Sequence, residues 1–225
     1  MSSTQHLLYS VIVAGLIAAC IITAVMFSDV GGKAAFTWHP VLMSFSFLVF
    51  MAMGVNSYWT GSLNGVKRST SRNQHAVYQI VAVLLAIGGW IAIFIAHSGK
   101  SHTGAGAPTV KVIHVWLGYI VLLLVLCQGL VGASKYISLP KKFAKWHGTL
   151  GVPTWLLGCL NIFLGACFWA TPSYNTTAQV ITVVSILVVT SMTMLLRTLS
   201  KGNNNTSNTY LPVENKILEY EKANI

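Results

Sequence analysis

Residues 38–59 read WHPVLMSFSFLVFMAMGVNSYW. The stretch carries no Asp, Glu, Lys or Arg and is close to the ~20 residues that cross a bilayer core as helix. Trp38 and Trp59 bracket it, as amphipathic rings do at a membrane–water interface. One ionisable group, His39, stands at its head, followed by Pro40, which suits a first helical turn. An ionisable residue inside a membrane is costly and marks a functional site by default. The reading of the whole chain follows from how often that pattern returns.

It returns in the rest of the chain. Segments 8–27, 75–96, 112–134, 146–169 and 178–197 are also apolar and of spanning length, with Trp146 and Trp169 bracketing the fifth span. Apolar residues make up 54% of the 225 and charged residues 8%, against about 25% in soluble domains. Mean hydropathy is +0.67. The expected fold is all-α and integral to the membrane, with six transmembrane helices. Residues 1–7 form a cytosolic N-terminus, 8–197 the membrane domain and 198–225 a polar, disordered cytosolic tail. Met1–His6 lacks lysine and arginine, so the first segment is expected to stay as a helix rather than act as a signal peptide.

The net charge of +10 does not point to nucleic acid, because the basic residues sit in short loops between spans. Eleven of them (Lys67, Arg68, Arg72, Lys135, Lys141, Lys142, Lys145, Arg197, Lys201, Lys216 and Lys222) fall on one side, and only Lys33, Lys100 and Lys111 on the other. The positive-inside rule then puts both termini in the cytosol and the Asn175-Thr176-Thr177 sequon in a luminal loop. Cys20, Cys127, Cys159 and Cys167 lie within apolar spans and read as small buried hydrophobes. No C-x-x-C-H occurs, so covalent c-type haem attachment is unsupported.

Between Asp29 and Glu214 there is no carboxylate side chain, yet six of the seven histidines lie there. His39, His75, His114 and His147 recur once per apolar segment, 36, 39 and 33 residues apart, each near the start of its helix. Successive spans run in opposite directions. Parity therefore pairs His39 with His114 near one face and His75 with His147 near the other. Paired neutral imidazoles without carboxylates suit haem iron with two axial histidines. A proton or divalent-metal transporter is the rival reading, although such sites usually mix histidine with Asp or Glu. Packing histidines that bind no cofactor are the third. Gly118 and Gly151, one turn after His114 and His147, leave room for a flat macrocycle. Gly88 and Gly89 thin the third helix, and Trp90 and Phe94 are candidates to lie between two such centres.

With these residues in place the chain resembles the eukaryotic cytochrome b561 family, over roughly residues 8–197. The resemblance rests on the four histidines and on two local words, Thr37-Trp38-His39-Pro40-Val41-Leu42-Met43-Ser44 and His114-Val115-Trp116-Leu117-Gly118. The first looks closest to the cytochrome b561 domain-containing branch. It implies that spans 2–5 form a di-haem bundle holding two non-covalent haem b groups per chain, the luminal one on His39 and His114 and the cytosolic one on His75 and His147. The irons would lie about 20 Å apart. It further implies electron transfer from cytosolic ascorbate to luminal monodehydroascorbate or ferric iron, and a homodimer in an endomembrane rather than the plasma membrane. Lys67, Arg68, Arg72, Lys141, Lys142 and Lys145 would form the cationic donor mouth. His97 matches a family position near the acceptor, with Lys100 and His102 close by. Two words of the classical members are missing. Span two ends Gly54-Val55-Asn56-Ser57-Tyr58-Trp59 rather than in Tyr-Arg, and span four reads Val112-Ile113-His114-Val115-Trp116 where Ser-Leu-His-Ser-Trp is expected.

Overall fold

The computed structural model describes residues 3–32, 34–99, 103, 106–137, 145–168 and 173–209. Among these residues every regular element is helical. Helix α1 spans Ser3–Asp29, and the second span is built from α2 (Ala35–Ser44), a π-helix (Phe45–Met51) and α3 (Ala52–Leu63). The remaining helices are α4 (Arg68–Ala96), α5 (Thr109–Ile137), α6 (Lys145–Phe168) and α7 (Thr176–Thr209). Six stretches are long and apolar enough to cross a membrane: Gln5–Asp29, Ala35–Gly61, Arg68–Ala96, Thr109–Ile137, Trp146–Phe168 and Thr176–Lys201. They coincide with the six expected segments, mostly running a few residues further at each end. Hydropathy falls at the interface before the backbone ladder ends, and in lipid that ladder is what satisfies the peptide groups.

Two boundaries differ from expectation. Pro40 lies inside α2 rather than at its first turn, because the helix already begins at Ala35. At the other end α7 continues to Thr209, twelve residues beyond the expected end of the span at 197. Extending a formed helix needs no new nucleus, which lets poor helix formers such as Asn203, Asn204 and Asn205 follow it. The rest of the expected tail, residues 210–225, is outside the described residues.

The second span is the innermost. It packs on α4 to one side, while α1 and α7, closely paired, cover it on the other. Helices α5 and α6 pair with each other and close the bundle, and α4 touches α5 only lightly. Close approach depends on small residues, as is usual where lipid supplies no hydrophobic drive between helices. Gly15 of α1 lies against the Leu48 carbonyl, and Gly158 of α6 lies under the Phe47 ring. Fully buried Trp155 closes the centre and donates its indole N–H to the Phe47 carbonyl at 2.9 Å. Buried hydroxyls are satisfied mostly within their own helix: Thr60, Thr154 and Thr182 each donate to the carbonyl four residues back. Asn56 donates both to the Ala52 carbonyl and across to Thr193 Oγ1 at 3.1 Å, tying α3 to α7.

Candidate functional site

Helices α2 and α5 enter the bundle at one end, and α4 and α6 at the other. This brings the four histidines together in twos. The rings of His39 and His114 have centroids 6.4 Å apart with planes at 89°. Those of His75 and His147 are 6.0 Å apart with planes at 85°. The first pair defines what is called here the His39 end, the second the His75 end. Among the described residues no three His, Cys, Asp or Glu side chains converge. The donor sets are therefore pairs of imidazoles without a carboxylate.

Three of the four rings are held from behind by a backbone carbonyl. His39 Nδ1 is 2.9 Å from the Gly89 carbonyl, His75 Nδ1 is 2.8 Å from that of Gly54, and His114 Nδ1 is 3.0 Å from that of Asn161. A carbonyl can only accept, so Nδ1 carries the proton in all three and Nε2 is left with the free lone pair. His147 has the Gln128 backbone beside it, with Nδ1 in no hydrogen bond.

A cavity of about 920 Å³ opens around the first pair. His39, His114, Met43, Phe47, Gly118 and Gly165 are among its walls, and His97 and Lys111 also line it. Two further glycines join those expected from the sequence. Gly118 faces the Asn161 amide, where a Cβ would come within 3.1 Å of Nδ2, and nothing lies within 4 Å of a Cβ at Gly151. The glycines that touch the rings are Gly165, 3.3 Å from His114 Cε1, and Gly132, 3.1 Å from His147 Cε1, measured from the Cβ each lacks. Both sit on a helix other than that of the histidine they touch, so spacing along one helix could not reveal them. Aromatic contacts were missed too: the Tyr58 ring is 5.0 Å from that of His75, and Phe168 is 5.2 Å from His114.

Trp90 and Phe94, 5.5 Å apart, line the cavity at the His39 end, beyond Gly89 along α4, and do not lie between the two pairs. His97 caps the end of α4 with Nδ1 3.0 Å from the Ile93 carbonyl. At the His75 end Lys67, Arg68 and Arg72 are exposed at the start of α4. Arg72 stacks 5.1 Å over Tyr136 of α5, whose hydroxyl reaches Asn73 at 3.2 Å. Lys100, His102, Lys141 and Lys142, together with the side chain of Lys145, are outside the described residues. Near the His39 end, Tyr174 is buried in the loop before α7, and that burial pushes its hydroxyl pKa up.

A six-helix bundle with a facing imidazole pair inside each end is the layout of a membrane cytochrome. The comparisons agree. The family model for eukaryotic cytochrome b561 matches residues 38–171. The transmembrane reductase CYB561D2 of Homo sapiens is 33% identical over 192 residues, 80% of this chain and 79% of its own length. A lysosomal membrane ascorbate-dependent ferrireductase, CYB561A3 of Bos taurus, is 30% identical over 60% of this chain and 46% of its own. The plasma membrane ascorbate-dependent reductase CYBRD1 of Xenopus laevis is 28% identical over 48% of this chain and 36% of its own. The chain belongs to the eukaryotic cytochrome b561 family.

Membership implies haem b, and the residues present fit it. An ion midway between rings 6.0–6.4 Å apart lies about 3 Å from each ring centre. Three of the four rings keep an Nε2 lone pair free, the flanking positions are glycine, and the cavity at the His39 end is of cofactor size.

Proposed function

We propose that the chain carries single electrons across a membrane, from ascorbate at the His75 end to monodehydroascorbate or ferric iron at the His39 end. The observation that carries this reading is the facing of one imidazole pair at each end of the bundle, with no carboxylate beside either. His39 with His114, and His75 with His147, would hold two haem b groups. Bound there, haem supplies a reversible one-electron couple. The protein keeps His39, His75 and His114 in one tautomer through a backbone carbonyl, excludes water with apolar walls, and holds two sites inside opposite faces.

The His75 end is the cytosolic one in this reading. Among the described residues it gathers Lys67, Arg68, Arg72, Lys135, Arg197 and Lys201, whereas the His39 end has Lys111. That asymmetry supports a cytosolic N-terminus by the positive-inside rule. The same charges would concentrate an anionic donor such as ascorbate. Lys141, Lys142 and Lys145 extend the cluster in sequence. At the other end His97 and Lys111 line the cavity that also reaches His39 and His114, so an anionic acceptor or a ferric chelate would meet them first. Two copies would associate as a homodimer within an endomembrane, the kind of membrane named for the lysosomal relative.

Reconstitution tests the reading. Vesicles loaded with ascorbate and carrying the purified protein should reduce external ferricyanide or ferric chelate. The same vesicles with His75→Ala should not. Equal rates in protein-free vesicles would end the proposal.

A further inference from the structure

The carbonyls that aim the histidines follow a rule of their own. Gly89, which receives His39, lies on α4, the helix of His75. Gly54, which receives His75, lies in the second span, the span of His39. Helices α5 and α6 repeat the exchange: Asn161 of α6 receives His114 of α5, and the Gln128 backbone of α5 lies beside His147 of α6. Each core span thus presents a histidine at one end and, at the other, the backbone that backs its neighbour's histidine.

The spacing of the two positions is fourteen residues in α4 (His75 to Gly89), in α5 (His114 to Gln128) and in α6 (His147 to Asn161). In an α-helix fourteen residues advance ~21 Å and return to within about 40° of the same face. The second span differs, with fifteen residues from His39 to Gly54. In plain α-helix fifteen residues would leave Gly54 about 60° past His39 on the opposite side, about 100° from where the fourteen-residue spacing of the other spans would put it. This is the span that contains the π-helix, and Phe45–Met51 lies between the two positions. A π turn closes its hydrogen bond one residue later and so takes up one residue.

We infer that the π-helix is a register corrector: it absorbs the one surplus residue so that His39 and the Gly54 carbonyl both face α4. The inference rests on the reading of the histidine pairs as haem ligands. The surroundings are built to keep the segment in place. Trp155 takes the Phe47 carbonyl, Ser46 Oγ donates to the Ala82 carbonyl at 2.7 Å, and Gln79 Nε2 reaches the Met51 carbonyl at 3.5 Å. The contact itself needs close backbones. A Cβ on Gly54 would come 2.6 Å from Gln79 Nε2, and one on Gly89 would come 3.3 Å from the His39 carbonyl. Gly54, Gly89 and Asn161 are accordingly positioning residues, acting through the imidazoles their carbonyls hold.

The consequence is an asymmetry between deletion and insertion. Deleting Phe50 brings the second span to the spacing of the other three. It should keep the parental haem-to-protein ratio and both low-spin ferric signals in electron paramagnetic resonance. Deleting Leu84 shortens the His75–Gly89 spacing to thirteen, for which no π turn can compensate. It should halve the ratio or worse and remove at least one signal. Inserting one alanine after Leu84 creates the fifteen-residue case in α4 and should be tolerated, whereas one alanine after Phe50 should not. Equal loss in the two deletions, or equal tolerance of the two insertions, would overturn the inference. If the Phe50 deletion fails to fold, the insertion pair decides. A parental protein without haem would instead remove the haem reading itself, so the two failures are distinguishable.

Discussion

Gly165 and Gly132 set how tightly the imidazoles are gripped. A Cβ on Gly165 would already lie 3.3 Å from His114 Cε1, so the branched side chain of Gly165→Val must push the ring. The expected result is loss of about half the haem, read as haem per protein, with the His75 end retained. Trp155 offers a second test at this scale. Trp155→Phe keeps an aromatic core but leaves the Phe47 carbonyl without its side-chain donor, which should cost about 1–3 kcal/mol of stability. Thermal unfolding in detergent would register this, and an unchanged midpoint would contradict the role given to the indole. Which histidines face each other was legible in the sequence, because helix direction alternates and each histidine stands near a helix start. Which glycines touch them was not, since Gly165 and Gly132 belong to the helix opposite.

Among the elements, the six spans were readable from hydropathy, and their ends less so. The π-helix left no mark in composition: Phe45–Met51 is as apolar as its flanks, and only the fifteen-residue spacing betrays it once the carbonyl partners are known. The extension of α7 to Thr209 was hidden for the opposite reason, since its polar residues argue locally against helix and yield to the helix they continue. Span packing carries a further consequence. The hydrogen bond from Asn56 to Thr193 links α3 to α7 within a buried region. A double-mutant cycle with Asn56→Leu and Thr193→Val should give a coupling of about 0.6 kcal/mol, the typical worth of such a bond between membrane helices. A coupling of zero would mean that α7 is held by packing alone.

At the scale of the whole molecule, the two ends differ in charge among the described residues. Neutralising Lys67 and Arg68 together should raise the KM for ascorbate several-fold and leave kcat unaltered, because the charges steer a ligand rather than take part in the chemistry. The difference from the parent should shrink as salt shortens the Debye length from about 10 Å at 0.1 M toward about 3 Å at 1 M. Salt-independent kinetics would show that these residues serve topology only. The central claim, one centre on each imidazole pair, is tested most directly by haem content. Haem and protein should be quantified together in the parent chain, His39→Ala and His75→Ala, with reduced-minus-oxidised spectra recorded in detergent. The expected result is two b-type haems per parent chain, bleached by ferricyanide and restored by ascorbate, and one remaining in each variant with a different spectrum in the two. No haem in folded parent protein, or the same residual spectrum in both variants, would contradict it.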